Sequence, residues 1–132
     1  MNKEFSTKWK ASKRPAKQRK YRYNAPLHIK HKFLSSHLTK ELRAKYKRRS
    51  IPVIKGDKVK VLRGQFKGRE NKVERVDVKQ TKVYITGIDR SKKDGSKSII
   101  PIHPSNIIIT ELKLDDKKRK ETLEKSKANE EK

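Results

Sequence analysis

The fold of this chain is decided by the segment Lys55–Val73, which reads KGDKVKVLRGQFKGRENKV. Val59 and Val61 alternate with lysines, which is the period of a strand with one buried face. Two glycines and Asn71 follow, and both residue types tolerate the left-handed backbone conformation that tight turns need. The segment therefore predicts a strand, a turn and a second strand.

The turn in this segment is rich in cations. It presents Lys and Arg side chains together with backbone N–H groups on a rigid hairpin, which favours a phosphate ligand. It lacks the Gly-Lys-Ser/Thr ending and the following helix of a P-loop. The residues predicted to contact phosphate here are Arg63, Gly64, Lys67, Gly68, Arg69 and Lys72.

The composition predicts a polyanionic partner. The 132 residues allow one small domain with extensions, and 39 Lys and Arg against 15 Asp and Glu give a net charge of +24. Charge of this size repels itself unless a polyanion neutralises it, so nucleic acid is the leading partner. An acidic membrane surface is the weaker alternative, because no segment has the broad apolar face of a membrane-bound helix.

The composition also excludes several classes of protein. No apolar run approaches the ~18 residues of a transmembrane helix, and the charged N-terminus lacks the apolar segment of a signal peptide. The absence of cysteine excludes disulfides and thiolate metal sites, and it suits a cytosolic protein. No cofactor and no small-molecule substrate are predicted.

The charge is segregated along the chain. Residues 1–50 carry a net charge of +15, residues 51–110 of +8 and residues 111–132 of +1. This distribution predicts a basic extension over residues 1–50, a compact module over 51–114 and a polar helical tail over 115–132. The tail has an Asp cap and a single large apolar residue, Leu123, so we expect a surface helix that frays into Lys127–Lys132.

The N-terminal extension combines cations with aromatic side chains. Pro15 predicts the start of a short helix with Ser12 or a neighbour as its cap, and Asn24-Ala25-Pro26 ends it. Like charges along this helix repel, so we expect it to order only against an anion. The aromatics are suited to stacking on bases or sugars. The predicted RNA contacts are Lys8, Trp9, Lys10, Lys13, Arg14, Lys17, Arg19, Lys20, Arg22 and Tyr23.

Two elements are predicted between the extension and the compact module. Leu27–Leu34 alternates apolar and polar residues and predicts an extended segment. Thr39 predicts the cap of a helix that runs to about Tyr46 and has an apolar face able to dock on a core. Further cations in this region are predicted RNA contacts, namely Lys30, His31, Lys32, Arg43, Lys47, Arg48 and Arg49.

The compact module is predicted to be mainly β, as a small, partly open, antiparallel barrel of SH3-like size. A change of phase between Val73 and Val78 predicts a bulge. Lys79-Gln80 is predicted as an exposed turn, and residues 92–96 as a hairpin tip that offers Lys92 and Lys93 to RNA. A 3₁₀ turn is predicted at residues 103–106. The predicted strands are Pro52–Ile54, Lys58–Arg63, Lys72–Val78, Lys82–Gly87, Ser98–Ile102 and Asn106–Leu112.

No catalytic or metal site stands out. The histidines His28, His31 and His37 lack cysteine or carboxylate neighbours, so polar roles in a basic segment explain them better than metal binding. The acidic residues of the module have cationic neighbours and are interpreted as surface charge balance rather than as an acid–base pair. These residues are Asp57, Glu70, Glu74 and Asp77.

Four segments of the sequence together resemble those of a known family. Gly56–Val76 is similar to a KOW motif, which occurs in ribosomal proteins and transcription elongation factors. With Arg19–His28, Leu38–Tyr46 and Pro101–Asn106, it resembles the large-subunit ribosomal protein family L-twenty-four in its archaeal and eukaryotic form, L-twenty-six in eukaryotes. The resemblance covers about residues 8–125. Asn71 departs from it, since the family usually has a third glycine there, and we expect this Asn to be left-handed.

The resemblance implies a function. It implies binding near the 5′ region of large-subunit rRNA, a role in early subunit assembly and a position near the exit of the nascent-peptide tunnel. The implied partners are large-subunit rRNA, neighbouring ribosomal proteins and targeting factors at the tunnel exit. Two alternatives remain at this point. One is a transcription elongation factor with a KOW module. The other is an SH3-like adaptor that binds peptides, which needs an exposed aromatic groove, whereas this module supplies only Phe66 and Tyr84.

Overall fold

The computed structural model describes residues 5–128 and confirms the mainly β fold. Within these residues, seven strands form one open sheet in the order β2-β1-β7-β3-β4-β5-β6, accompanied by four α-helices and two 3₁₀ turns. The strands are β1 (Ser35–Leu38), β2 (Ser50–Pro52), β3 (Lys58–Val61), β4 (Glu70–Asp77), β5 (Lys82–Ser91), β6 (Lys97–Ile102) and β7 (Ile107–Glu111). The helices are α1 (Pro15–Asn24), α2 (Leu27–Phe33), α3 (Lys40–Tyr46) and α4 (Lys117–Ala128), and the 3₁₀ turns are Thr7–Ala11 and Pro104–Asn106.

The strand predicted from alternating valines lies near the centre of the sheet. β3 pairs antiparallel with both β4 and β7. Val59 and Val61 are buried, whereas Lys60 between them is exposed. Five of the six predicted strand segments are found, with shifts at one or both ends, whereas Pro52–Ile54 was wrong, because β2 ends at Pro52.

The predicted bulge is present in β4. The register of β4 against β5 shifts between Val73 and Arg75. The first residues of β4 pair with β3, whereas Val73 and the residues after it pair with β5. β4 thus passes from one half of the sheet to the other, which is how a small open barrel bends.

The turn between β3 and β4 has two left-handed glycines. Gly64 has φ +95° and Gly68 has φ +87°, as the predicted turn requires. The prediction for Asn71 was wrong. Asn71 lies within β4 opposite Val59, and it is not among the described residues with positive φ. Because its backbone has strand geometry, no third glycine is needed at this position.

The two helices before the sheet illustrate one correct and one wrong prediction. α1 begins at Pro15 as predicted, although its N-cap residue is Arg14, and no side chain caps the helix. The predicted extended segment Leu27–Leu34 is instead mostly the helix α2. Ile29 and Phe33 lie one helical turn apart and are both partly buried, whereas Leu27 is exposed. Helical rather than alternating spacing therefore brings the apolar residues together.

The strand β1 was not predicted, but the helix after it was. Leu38 of β1 pairs with Ile109 of β7 in the sheet's parallel strand pair. Thr39 is the N-cap residue of α3, as predicted, although its side chain makes no capping hydrogen bond. Leu38 and Tyr46 are buried and Leu42 packs against the core, so the predicted apolar face docks as expected.

A buried ion pair attaches the C-terminal helix to the sheet. Asp57 is fully buried, and its two carboxylate oxygens accept hydrogen bonds from the guanidinium of Arg119 at 2.6 and 2.7 Å. The interpretation of Asp57 as surface charge balance was therefore wrong. The prediction that α4 is merely a surface helix was also wrong, because Leu123 is buried in the core.

The rest of the C-terminal prediction is not tested. The predicted fraying falls largely on residues 129–132, which lie outside the described residues. The division of the chain at residues 50 and 114 stays a prediction.

The buried ion pair yields a prediction for stability. Arg119→Met should destabilise the protein by about 3–5 kcal/mol, because it leaves the Asp57 carboxylate buried without its cation. Urea unfolding followed by circular dichroism measures this change. Lys118→Met, on an exposed position of the same helix, is the matched control and should change the free energy of unfolding by less than about 0.5 kcal/mol. Equal effects of the two substitutions would show that the ion pair does not anchor α4.

Candidate nucleic-acid interface

The N-terminal segment presents an exposed basic surface. α1 contains no acidic residue and buries none of its side chains. Within residues 5–128, none of its basic side chains forms an ion pair with a carboxylate. The helix is therefore cationic on nearly all sides, apart from the side of Tyr21. The exposed predicted contacts are Lys8, Lys10, Lys13, Arg14, Lys17, Arg19, Lys20, Arg22 and Tyr23.

The aromatic residues of this segment pack together. The ring of Tyr21 lies between those of Phe5 (centroids 5.3 Å apart) and Phe33 of α2 (5.8 Å). Trp9 contacts Phe5 edge-on, and the Lys20 ammonium lies 4.7 Å from the centroid of the Trp9 ring. Trp9 is thus partly buried in the protein. Tyr23, in contrast, is 68% exposed, so most of its side chain is accessible to a stacking partner.

In the turn between β3 and β4, the cationic side chains are accessible to a ligand, but several backbone N–H groups already have acceptors within the hairpin. The backbone N–H groups of Lys67, Gly68 and Arg69 donate to carbonyls of the same hairpin at 2.8–3.2 Å. The predicted display of backbone N–H groups is therefore wrong for these three residues. The cationic side chains of the turn, Arg63, Lys67, Arg69 and Lys72, are all exposed.

The turn is anchored through an aromatic ring. Phe66 packs against the core, and the guanidinium of Arg69 lies 5.1 Å from the centroid of its ring. Arg69 also donates from Nη1 to the carbonyl of Gly87 (3.4 Å). An added Cβ at Gly64 or Gly68 would meet no atom within 4 Å, so the outer side of the turn is open to a large ligand.

Two of the predicted contacts have structural partners. Arg43 donates from Nε to the carbonyl of Leu38 (2.7 Å), and Arg48 donates from Nε to the carbonyl of Ser50 (3.0 Å). Both arginines are partly buried and stabilise the connections on either side of α3. The other predicted contacts in this region differ in exposure: Lys30 is partly buried, whereas His31, Lys32, Lys47 and Arg49 are exposed.

The hairpin tip between β5 and β6 is a compact basic turn. The backbone N–H of Lys92 donates to the carbonyl of Ser96 (2.8 Å), and Gly95 occupies a left-handed position with φ +83°. The Asp94 carboxylate accepts from the side chain and the backbone of Ser96, and these hydrogen bonds lower the pKa of Asp94. Lys92 and Lys93 are exposed, as predicted.

A basic cleft lies where the sequence predicted only an exposed turn. It is formed by α1, by the turn between β4 and β5, and by the segment before the second 3₁₀ turn. Arg19 and Arg22 of α1 line it together with Lys79, Lys82 and His103. Lys79, Lys82 and His103 were not among the predicted RNA contacts. The closely spaced lysines of Lys79-Gln80-Thr81-Lys82 were the local signal, but the sequence did not show that this turn faces α1.

His103 has an unusual environment in this cleft. Its Nδ1 accepts a hydrogen bond from the backbone N–H of Ser105 (3.2 Å) and so caps the 3₁₀ turn. Burial, followed by the nearby charges of Lys82 and Arg22, lowers the pKa of His103 below its ordinary value. The neutral ring is therefore the form that the folded protein favours.

The described residues offer no metal or membrane site. Among residues 5–128, no three His, Cys, Asp or Glu side chains are grouped so as to hold a metal ion. His28 and His31 lie on α2, and His37 lies on β1. Within the same residues, no helix has the length and apolar character needed to cross a membrane.

Comparison with known proteins decides the family. A family model that describes the eukaryotic ribosomal proteins L26 and their archaeal L24 counterparts matches residues 12–126. The chain belongs to this family, the ribosomal L26 family. It is 51% identical over 112 residues to the large ribosomal subunit protein uL24 of Methanosphaera stadtmanae, covering 85% of this chain and 96% of the relative. It is 49% identical over 114 residues to the uL24 of Korarchaeum cryptofilum, covering 86% and 87%.

Membership in the ribosomal L26 family settles the general role. The chain is a structural constituent of the ribosome, a cytoplasmic particle, and is not an enzyme. The elongation-factor and peptide-adaptor alternatives are therefore set aside, and the resemblance inferred from the KOW motif and its flanks is confirmed.

The environment of His103 yields a prediction for pH dependence. Because its folded pKa lies below the ordinary 6.5, unfolding takes up a proton, and stability should fall as the pH decreases through 6.5 toward the folded value. Urea unfolding between about pH 8 and about pH 5 measures this loss. His103→Asn keeps an acceptor for the Ser105 N–H and should show a weaker pH dependence. An identical pH dependence of the variant would contradict the assignment.

Proposed function

We propose that this member of the ribosomal L26 family binds large-subunit rRNA through its basic surfaces. The exposed helix α1 carries the proposal, because it is cationic on nearly all sides and its basic side chains form no ion pair within residues 5–128. Such a surface is destabilised by self-repulsion in the free protein, and a polyanion relieves that repulsion. The names of the two archaeal relatives support the large subunit as the site of assembly.

The finer parts of the proposal rest on the family resemblance. The protein binds near the 5′ region of the rRNA, supports early assembly and lies near the exit of the peptide tunnel. Its partners are the rRNA, neighbouring ribosomal proteins and targeting factors at the tunnel exit. The N-terminal segment lies between RNA helices, and the turn between β3 and β4 holds phosphates at the rim of the barrel.

The mode of recognition follows from the exposed side chains. Lys and Arg outnumber other exposed polar groups on α1 and on the β3–β4 turn, and they bind phosphates without reading base sequence. No helix of this fold has to enter a groove, because folded RNA is recognised largely by shape and backbone. The proposal is therefore binding led by phosphate contacts.

The salt dependence of RNA binding tests the proposal. With about ten phosphate contacts, the slope of log K against log salt concentration should be roughly −7 to −9. Filter binding of the full chain to a 5′ fragment of large-subunit rRNA, over a range of potassium chloride concentrations, measures this slope. A nearly flat dependence would overturn the proposal.

The two basic surfaces should contribute unequally. Deletion of residues 1–23 should weaken rRNA binding more than Arg63→Glu, because the deletion removes all four cations of α1. Arg63→Glu should lower the magnitude of the salt slope by about 1. Lys118→Glu, an equal charge change at an exposed position of α4, is the matched control for Arg63→Glu. A larger loss from Arg63→Glu than from the deletion would reverse the ranking.

A further inference from the structure

The basic cleft between α1 and the β4–β5 turn has the size of a small ligand site. Its volume is about 460 Å³, within the ~300–1,000 Å³ typical of ligand pockets. Four cationic side chains line it, two from α1 (Arg19 and Arg22) and two from the turn (Lys79 and Lys82). None of the lining residues is acidic. The cleft therefore concentrates positive charge from two elements that are distant in sequence.

The walls of the cleft are held in place before any ligand binds. Thr81 has φ +56°, a left-handed conformation unusual for a residue with a branched side chain, so the turn is tightly constrained. The backbone N–H of Gln80 donates to the Asp77 carboxylate (3.0 Å), which fixes the start of the turn. On the opposite wall, Phe33 packs edge-on against Tyr21 of α1. A pre-formed site of this kind loses little conformational entropy on binding.

The chemistry of the lining combines cations with flat rings. Tyr23 and Phe33 supply aromatic surface beside the four cations, and Gln80 supplies an amide that can both donate and accept hydrogen bonds. A phosphate with an attached base uses all three kinds of group, since bases stack on aromatic rings and bear hydrogen-bonding edges. A peptide carboxylate would use the cations alone.

We propose that this cleft binds a single unpaired nucleotide of the rRNA, with its phosphate among Arg22, Lys79 and Lys82 and its base against Tyr23. The inference rests on the proposed rRNA binding and adds a defined site to it. A base held in a duplex has both faces stacked on its neighbours, so only an unpaired or extruded nucleotide can offer a face to Tyr23. The nucleotide thereby joins α1 to the sheet.

His103 provides a built-in reporter for the site. His103 lines the cleft together with the cations Arg19, Arg22, Lys79 and Lys82, and the charges of Lys82 and Arg22 act on its pKa. A phosphate bound among these cations adds negative charge beside the ring and should raise the pKa of His103. The shift can be followed by NMR of the imidazole protons.

The experiment uses the full chain and the fragment of large-subunit rRNA that it protects from nuclease. Crosslinking identifies the nucleotide at Tyr23, and a second fragment carries an abasic site at that position. Tyr23→Ala should weaken binding of the intact fragment roughly 5- to 150-fold. It should cause no further loss with the abasic fragment, whereas Tyr23→Phe should restore binding to the intact one. Lys79→Gln combined with Lys82→Gln should lower the magnitude of the salt slope by about 1–2.

The controls separate this inference from the proposed function. Lys118→Gln, on the exposed surface of α4, should leave both the affinity and the slope unchanged. If the wild-type chain binds rRNA but the Tyr23 and Lys79/Lys82 variants match the control, or if the His103 pKa does not rise, the cleft site is refuted and rRNA binding stands. Crosslinks from Tyr23 to a protein instead of RNA refute the nucleotide. If no rRNA fragment is protected, both proposals fail.

Discussion

The buried carboxylate of Asp57 is the interaction on which the rest of the structure depends. Besides the two bonds from Arg119, it accepts the backbone N–H of Ile54 (3.1 Å) and that of Lys113 (2.9 Å). Arg119 in turn donates to the carbonyls of Pro52 (3.2 Å) and Lys113 (2.8 Å). One ion pair thus joins the end of β2, the start of β3, the segment after β7 and the helix α4. The Asp57 carboxylate is tolerated in the interior because these four hydrogen bonds satisfy both of its oxygens, whereas the buried Nε of Arg119 has no hydrogen-bond partner.

The protein places its opposite charges in different environments. One of its few carboxylates lies in the interior, while nearly all of its cations remain at the surface. The exposed pair of Lys58 and Glu111 (2.9 Å) contributes little to stability, because water screens it. Surface ion pairs of this kind therefore offset little of the repulsion among the cations. The buried pair of Asp57 and Arg119 stabilises the fold from the interior instead. The outer surface is left free for a polyanion.

The elements that the sequence predicted well depend on local chemistry. The alternation around Val59 and Val61 and the two glycines of the following turn are properties of neighbouring residues, and they specify a hairpin without reference to the remaining chain. The cap at Thr39 and the helix start at Pro15 are local in the same sense. These features sufficed for the family and for the fold class.

The elements that the sequence missed depend on distant partners. Leu27–Leu34 fits both an alternating and a helical pattern over so short a length, and contact between Phe33 and Tyr21 decides for the helix. The strand β1 forms between β2 and β7, and the sequence of Ser35–Leu38 alone does not indicate either of these pairing partners. The burial of Asp57 could not be predicted either, because Arg119, the cation that pairs with it, lies far away in the sequence, in α4. The candidate RNA contacts could be chosen from the sequence by their charge. Which of them lie close together in the fold could not be predicted in this way.

The turn between β3 and β4 and the cleft differ in how far apart their residues lie in the sequence. The turn is a self-contained hairpin whose amides largely bond to one another, so it can offer a ligand little beyond its side chains. The cleft unites α1 with the β4–β5 turn, and α1 buries no side chain of its own. An anion bound there would neutralise both walls at once and so stabilise the packing of α1 that already forms the cleft.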